Sequence, residues 1–364
     1  MTNPLLQGLT VLDLSRLLPG PYCALTLAQM GATVIKVEEP AGDYTRLLSP
    51  ELFALVNRGK QSITLDLKQP ADQARLHALV RSADVLLESF RPGVMDKLGC
   101  GYETLKGINP KLVYCALTGY GQTGPLRDAA GHDMNYCGYA GVLDQTGSAG
   151  GPPTLSNFQI ADLAGGALTA ALGILAAVHG ARSSGQGCFV DAAMLDGTLA
   201  LQAVTTATQR TLGRANPRGA DMLSGALPNY STYACADGKY LAVGALEQKF
   251  FLAFCAAVGR PDLAKGKLAP GPGGEATRAA MAELIASKTR DQWAVELAGA
   301  DCCVTPILSP DEALQGEQVQ ARGLVEQVGG KPALGAALVF DGERPAPLAE
   351  APKLGADNLR LLGR

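Results

Sequence analysis

The sequence carries little excess charge, few histidines and none of the short motifs that usually announce a cofactor. A net charge of −3 over 364 residues supplies no field for nucleic acid or for an anionic membrane surface. The 9 cysteines are scattered through apolar runs. No pair has the C-x-x-C spacing of a zinc or redox site, so buried free thiols in a reducing compartment are expected. His, Cys, Asp and Glu nowhere cluster at ligand spacing, which implies no metal. Neither G-x-G-x-x-G nor a Walker sequence occurs, which argues against dinucleotides and P-loop phosphates. The most apolar stretch, Leu163 to Val178, reads as too short and too rich in Gly and Ala to cross a membrane. Met1 to Gln7 has neither the basic segment nor the apolar core of a secretory leader. A cytoplasmic protein without nucleic-acid or membrane partners is the expectation by elimination.

What is present is a globular composition, 47% apolar and 18% charged, long enough for two or three domains. Thr10 to Leu14 reads as a buried strand, Pro21 or Tyr22 to Met30 as a helix stopped by Gly31, and Thr33 to Val37 as a second strand. That is a βαβ unit with a right-handed crossover. The pattern recurs in a strand at Ser62 to Leu67, a helix at Gln69 to Ala83, and strands at Asp84 to Phe90 and Leu112 to Leu117. The predicted fold class is α/β, an open Rossmann-like parallel sheet. Ligands of such sheets lie beyond the carboxyl ends of the strands, so the loops Ser15–Pro21, Glu38–Arg46, Glu88–Lys97 and Thr118–Asp133 are the ones to watch. A long helix is predicted from Asp162 to about Arg182, a strand over Gly187 to Ala193 and a helix over Met194 to Leu212. Character then changes. Tyr230 to Val243 reads as a hairpin turning at Asp237-Gly238, followed by helices at Gln248 to Val258 and Arg278 to Ala300. This gives a first domain of 1–216 plus 314–364 and a smaller α+β domain of 217–313. The tail after Gln327 is read as irregular, except for Ala337 to Phe340.

The chain is organised around two segments, Gly131-His132-Asp133-Met134-Asn135-Tyr136 and Ile160-Ala161-Asp162-Leu163-Ala164-Gly165-Gly166. One of only three histidines sits between a glycine and an aspartate, and a second aspartate opens the long helix. Taken singly each has a bland reading: a loop histidine, and a carboxylate that caps free N–H groups. His77 and His179 lie in helical patterns and read as packing or surface residues.

Further segments carry a resemblance. Leu14-Ser15-Arg16-Leu17-Leu18-Pro19-Gly20-Pro21-Tyr22-Cys23, Gly31 to Glu38, Glu88-Ser89-Phe90-Arg91-Pro92-Gly93 and Thr118-Gly119-Tyr120-Gly121-Gln122-Thr123-Gly124-Pro125 resemble the family III coenzyme A transferases across nearly the whole chain. The GHDxNY frame, Asp221 to Ala226, Gly244-Ala245-Leu246-Glu247 and Cys303-Val304-Thr305-Pro306 are similar to the α-methylacyl-CoA racemase branch. The resemblance implies that His132 and Asp162 are the two proton-transfer residues and that Glu247 is the carboxylate partner of the histidine. It also implies an interlocked homodimer and a CoA thioester as substrate, with no cofactor besides. A single glycine stands at Gly225, where transferases often carry a glycine run. Two positions depart from the pattern. Phe158 stands where many racemases have asparagine, and Glu39 where the family often has arginine.

The chemistry fits these residue types. Inverting the carbon next to a thioester carbonyl needs a base on one face and an acid on the other, and histidine and a carboxylate exchange those roles near neutral pH. The enolate oxygen also needs donors, for which the N–H groups opening the Asp162 helix are the candidates. In a transferase Asp162 would instead attack the acyl carbonyl and form a mixed anhydride, with no histidine required. A non-catalytic acyl-CoA-binding protein is the third reading. For the phosphates, Arg16, Lys36, Arg58, Lys60, Arg91 and Lys97 fall near strand ends, with Arg91 first, then Arg58 and Lys97. Leu65 and Phe90 are candidates to line the adenine or pantetheine path, and Asp133 and Tyr136 are placed with the CoA-binding residues.

Overall fold

Short, nearly unbroken apolar segments form the first sheet in a computed structural model that describes residues 5–364. The strands are β1 (Thr10–Asp13), β2 (Thr33–Glu38), β3 (Gln61–Thr64), β4 (Val85–Glu88), β5 (Val113–Thr118) and β6 (Phe189–Ala193). They run parallel in the order β3-β2-β1-β4-β5-β6, with Val11 registered between Val34 and Val85. Both faces are covered, as continuous apolar strands require, and one face packs Leu12, Ile35, Ile63, Leu86 and Tyr114 into a common core. Strand order reverses between β1 and β4, which opens a crevice at their carboxyl ends.

Helix α1 (Pro19–Gln29) starts earlier than Pro21, because Pro19 is already pre-set for a helical first turn. Gly20 is required there, since a Cβ would lie 2.1 Å from Ser15 Cβ. Helix α2 is Pro70–Val80, and α3 (Asp133–Tyr139) follows the loop after β5. The long helix expected from Asp162 opens instead as a π-helix, Ala161–Leu168, and becomes regular in α4 (Thr169–Ser184). The two together span 24 residues. By length and apolarity alone that is enough to cross a membrane, which the shorter sequence run did not suggest. In the fold it packs against α1, β5 and β6. Helix α5 (Met194–Ala200) and α6 (Ala203–Leu212) replace the single predicted helix, with the break at Leu201–Gln202, where Gln202 Nε2 donates to Ala140 O at 2.7 Å. The glycines at 165 and 166 admit another backbone. A Cβ on Gly197 of α5 would lie 1.9 Å from Gly165 O.

The second unit comprises Leu143–Leu155 and Ala203–Gly316, so it begins before residue 217 and recruits an earlier loop. Local bonding accounts for this. Thr208 Oγ1 and Asn216 Nδ2 both donate to Asp221 Oδ2, and Arg218 Nε donates to Asp144 O at 2.6 Å. Strands β7 (Tyr230–Ala234), β8 (Tyr240–Gly244) and β9 (Val304–Pro306) form an antiparallel sheet in that order. It is backed by α7 (Gln248–Ala257), α8 (Glu275–Ile285) and α9 (Arg290–Leu297). Trp293, Phe254 and Met281 are fully buried between them. The predicted helix from Arg278 to Ala300 is broken before α9 by Thr289, which caps that helix through Gln292 N.

The tail from Glu317 returns to the first unit. It is not irregular after Gln327: β10 (Val325–Val328) and β11 (Lys331–Leu334) pair as a hairpin turned by Gly329 and Gly330, both at positive φ, as a tight hairpin turn demands. Ala337 to Phe340 forms no strand. Helix α10 (Asn358–Leu362) docks on β3, where Ser62 N donates to Asp357 Oδ2 and Thr64 N to Asn358 Oδ1, each at 2.8 Å.

Candidate active site

Two sites lie on the first unit. The first is a cleft of about 330 Å³ at the carboxyl ends of β1 to β4, lined by Ser15 and Arg16, Glu39, Asp43 and Tyr44, Leu65 and Lys68, and Phe90. Three of the four watched loops meet there. Arg16 lies between two rings, its guanidinium carbon 4.9 Å from the Tyr44 centroid and 4.7 Å from that of Phe90. Its Nη1 donates to Tyr44 Oη at 2.9 Å and to Glu39 Oε1 at 3.4 Å. Each cation–π contact is worth ~0.5–1 kcal/mol where exposed. Leu65 and Phe90, expected on the ligand path, do line this cleft.

The other predicted phosphate ligands separate by burial. Lys36 and Lys60 are enclosed with Asp13 and Asp43 and offer nothing to a ligand. Lys60 Nζ donates to Asp13 Oδ2 at 2.8 Å, to Asn57 Oδ1 and to Pro21 O. Burial pushes the Lys60 ammonium down to about 8, against the opposing pull of Asp13. Burial alone would raise the Asp13 carboxyl, but Lys60 and Lys36 hold it below its ordinary range. Arg58, chosen early as a phosphate ligand, is 2% exposed, and each of its nitrogens donates to a protein acceptor: Leu55 O, Glu326 and Leu334 O. The hairpin of the tail thus claims it. Arg91 and Lys97 are exposed, and among the described residues neither forms an ion pair.

The second site is the loop after β5 with the start of the π-helix. His132 is exposed and stands at the N-cap of α3, where its backbone N–H donates to Asn135 Oδ1 at 3.0 Å. Asp133 reaches across the 28-residue gap, its Oδ1 accepting from Ala161 N at 2.8 Å and Asp162 N at 3.0 Å. One carboxylate therefore fastens the residue after His132 to the backbone that carries Asp162. This also occupies the N–H groups expected to hold an enolate oxygen, and Leu163 N is taken by Gln159 O, so those donors are not available to substrate. Tyr136 Oη donates to Gly131 O at 2.6 Å, and a Cβ on Gly131 would meet the Tyr136 ring at 2.7 Å, which accounts for the glycine before His132. Burial pushes the Tyr136 phenol up to about 12, aided by Asp162 and opposed by Arg91.

Asp162 is partly buried. Burial pushes its carboxyl up to about 7, and the Asp133 charge adds to the effect. Near neutral pH it is therefore poised to take or give a proton. π-helical turns recur at functional sites. Glu247 belongs to the second unit. It is exposed at the N-cap of α7, and its carboxylate has no partner among the described residues.

Sequence reasoning missed Tyr44, Asp43 and Lys68 in the cleft. Tyr44 and Asp43 lie inside a watched loop, but stacking on Arg16 has no sequence signature. The double duty of Asp133 was equally hidden, because the atoms it binds lie 28 residues away in the chain.

Fold and sites define an α/β protein with a cleft at the sheet's switch point and a half-buried carboxylate of raised pKa beside a histidine loop. Residues 6–358 match CoA-transferase family III, and the chain belongs to that family. It is 40% identical to the Alpha-methylacyl-CoA racemase of Homo sapiens over 319 residues, 87% of this chain and 81% of that protein. It is 34% identical to the Acetyl-CoA:oxalate CoA-transferase of Acetobacter aceti, covering 98% of this chain and 94% of that one. The crystal structure of a CAIB/BAIF family protein from Brucella suis superposes with a TM-score of 0.88 at 31% identity, covering 100% of this chain and 99% of that chain. The protein is an enzyme of the superfamily in which racemases and CoA-transferases both occur.

Proposed function

We propose that the protein is a cofactor-independent racemase or epimerase that inverts the α-carbon of 2-methylacyl-CoA thioesters by two-base proton transfer. The observation that carries this reading is the Asp133 bridge, which sets the His132 loop against the start of the Asp162 helix. Asp162 takes the α-proton on one face while His132 delivers one on the other, and the roles reverse for the opposite enantiomer. A carboxyl near 7 suits both halves of that exchange. Glu247 enters as the carboxylate that favours the imidazolium, a role resting on its place in the G-A-L-E segment. The CoA head group is assigned to the cleft of Arg16, Tyr44 and Phe90, with Arg91 and Lys97 at hand for phosphate. A homodimer, interlocked as in the family, is part of the proposal. In its support, Leu168, Leu172 and Leu199 leave 49%, 71% and 54% of their surfaces exposed on the first unit.

The transferase reading has one observation in its favour, the transferase relative aligned over nearly the full chain. Incubating the purified protein with one enantiomer of a 2-methylacyl-CoA in deuterium oxide, with and without a free carboxylic acid, separates the two. Deuterium uptake at the α-carbon with loss of optical purity is expected. Acyl exchange onto the free acid without deuterium uptake would make Asp162 the transferase nucleophile.

A further inference from the structure

Arg16 is the centre of the head-group cleft, and what holds it there is a buried ion pair behind the cleft wall. Lys36 and Asp43 have no exposed side-chain surface and lie 3.0 Å apart, Nζ to Oδ2. Lys36 Nζ also donates to Ser15 O at 3.0 Å. Asp43 Oδ1 accepts from Leu17 N at 3.3 Å, from Thr45 N at 3.0 Å and from Thr45 Oγ1 at 2.8 Å. The pair thus grips the loop after β1 on both sides of Arg16 and the loop after β2 next to Tyr44. Leu17 has a φ of 66°, an uncommon conformation for a branched residue that persists only where its surroundings impose it. The third side is closed by Arg16 N, which donates to Ser89 Oγ at 3.1 Å, one residue before Phe90.

Ser15 and Asp43 form part of the cleft wall, but the Lys36 and Asp43 side chains have no exposed surface, so the pair acts on a ligand through the geometry of Tyr44, Arg16 and Phe90. We propose that the Lys36–Asp43 ion pair is a positioning device for the nucleotide end of the substrate: it sets the Tyr44–Arg16–Phe90 stack, and through it the preference for a full CoA thioester over one that ends at pantetheine. The inference rests on the reading of this cleft as the head-group site. It does not depend on which reaction is catalysed.

The chemistry of the pair dictates the variants. Removing one partner leaves a lone buried charge, whereas neutralising both removes the grip at lower cost to the fold. The Lys36→Met, Asp43→Leu double variant, which leaves no side-chain oxygen to accept from Leu17 N and Thr45, is therefore the principal test, with folding checked by circular dichroism. Thr45→Val is the milder companion, since it takes a single hydroxyl from Asp43. Calorimetric titration with CoA and with pantetheine reads the outcome. In the wild type CoA binds more tightly than pantetheine. In the double variant CoA affinity falls by roughly tenfold or more while pantetheine affinity holds, and Thr45→Val shows the same asymmetry at smaller size. Turnover follows: kcat/KM falls for the acyl-CoA and not for the acyl-pantetheine. Unchanged CoA affinity, or an equal loss for both ligands in either variant, overturns the proposal. A wild type that binds CoA no better than pantetheine overturns the assignment of the cleft itself. Failure of the racemase reading would show separately, as absent deuterium uptake with the binding ratio intact.

Discussion

The head-group cleft and the histidine loop stand on the same unit and are built on opposite plans. Behind the cleft, the buried Lys60 and Lys36 are matched with Asp13 and Asp43 and the half-buried Arg46 with Glu38, and the buried Glu88, which has no cation, is pushed up to about 8 by burial. Burial makes those pairs rigid because breaking one leaves an uncompensated charge, at a cost of ~3–5 kcal/mol. At the histidine loop the groups proposed to react have no ion-pair partner among the described residues. Burial first and the like-signed Asp133 second raise the Asp162 carboxyl, and His132 is exposed. The difference teaches where each site needs its free energy. A binding cleft gains from fixed geometry, whereas a proton-transfer site gains from groups whose two protonation states lie close in energy.

The comparison breaks most sharply at the reactive pair. Asp162→Asn and His132→Ala are each expected to lower α-deuterium exchange by about 10²–10⁴-fold, with CoA affinity nearly unchanged in a calorimetric titration. A His132→Ala enzyme that retains full exchange refutes the two-base assignment. Asp162→Asn carries a second signature. The folded carboxyl holds its proton more tightly than an unfolded one, so ionising it costs stability as pH rises from the ordinary aspartate range through about 7, and the cost is complete above that. The variant escapes this cost, so its Tm should exceed that of the wild type at pH 8 and match it at pH 4.

A smaller effect is expected at the contact of α5 with the π-helix. Gly197→Ala pushes a Cβ into Gly165 O and should destabilise the fold by ~1–3 kcal/mol, read as a lower midpoint in urea. Because the displaced backbone follows Asp162 directly, deuterium exchange should fall as well, while the CoA-to-pantetheine ratio stays put. Equal loss at both sites would show that the two plans are not independent.

The smallest effect sharpens the electrostatic argument. Asp133→Asn keeps an oxygen to accept from Ala161 N and Asp162 N but removes the neighbouring charge. Burial still raises the Asp162 carboxyl, so the variant's rate should still climb with pH as Asp162 ionises, but the rise should begin at lower pH than in the wild type. An unmoved limb in the pH profile of kcat/KM would assign the whole shift to burial.

Local chemistry made much of this protein readable from its residues. Apolar runs of β length alternating with amphipathic helices placed β1 to β5 and the crevice at their ends, since periodicity and strand burial are short-range properties. The Asp237-Gly238 turn announced β7 and β8. The Gly329-Gly330 turn between β10 and β11 is just as local, but the tail reads as irregular because Pro332 breaks the strand pattern of β11. The GHDxNY frame and the helix-opening aspartate singled out the two segments that Asp133 joins. Tertiary structure decided the rest, because burial and partners are set by residues distant in sequence. Arg58 turned inward since Glu326 and Leu334 return some 270 residues later. Lys36 and Lys60 became framework and not ligands because Asp43, from the loop after β2, and Asp13, from β1, pair with them in the interior. The helix after Ile160 opened as a π-helix, with α5 packed backbone to backbone against it. Asp162 acquired its raised pKa only when the fold withdrew it from water and set Asp133 beside it. Neither effect can be read from the aspartate itself.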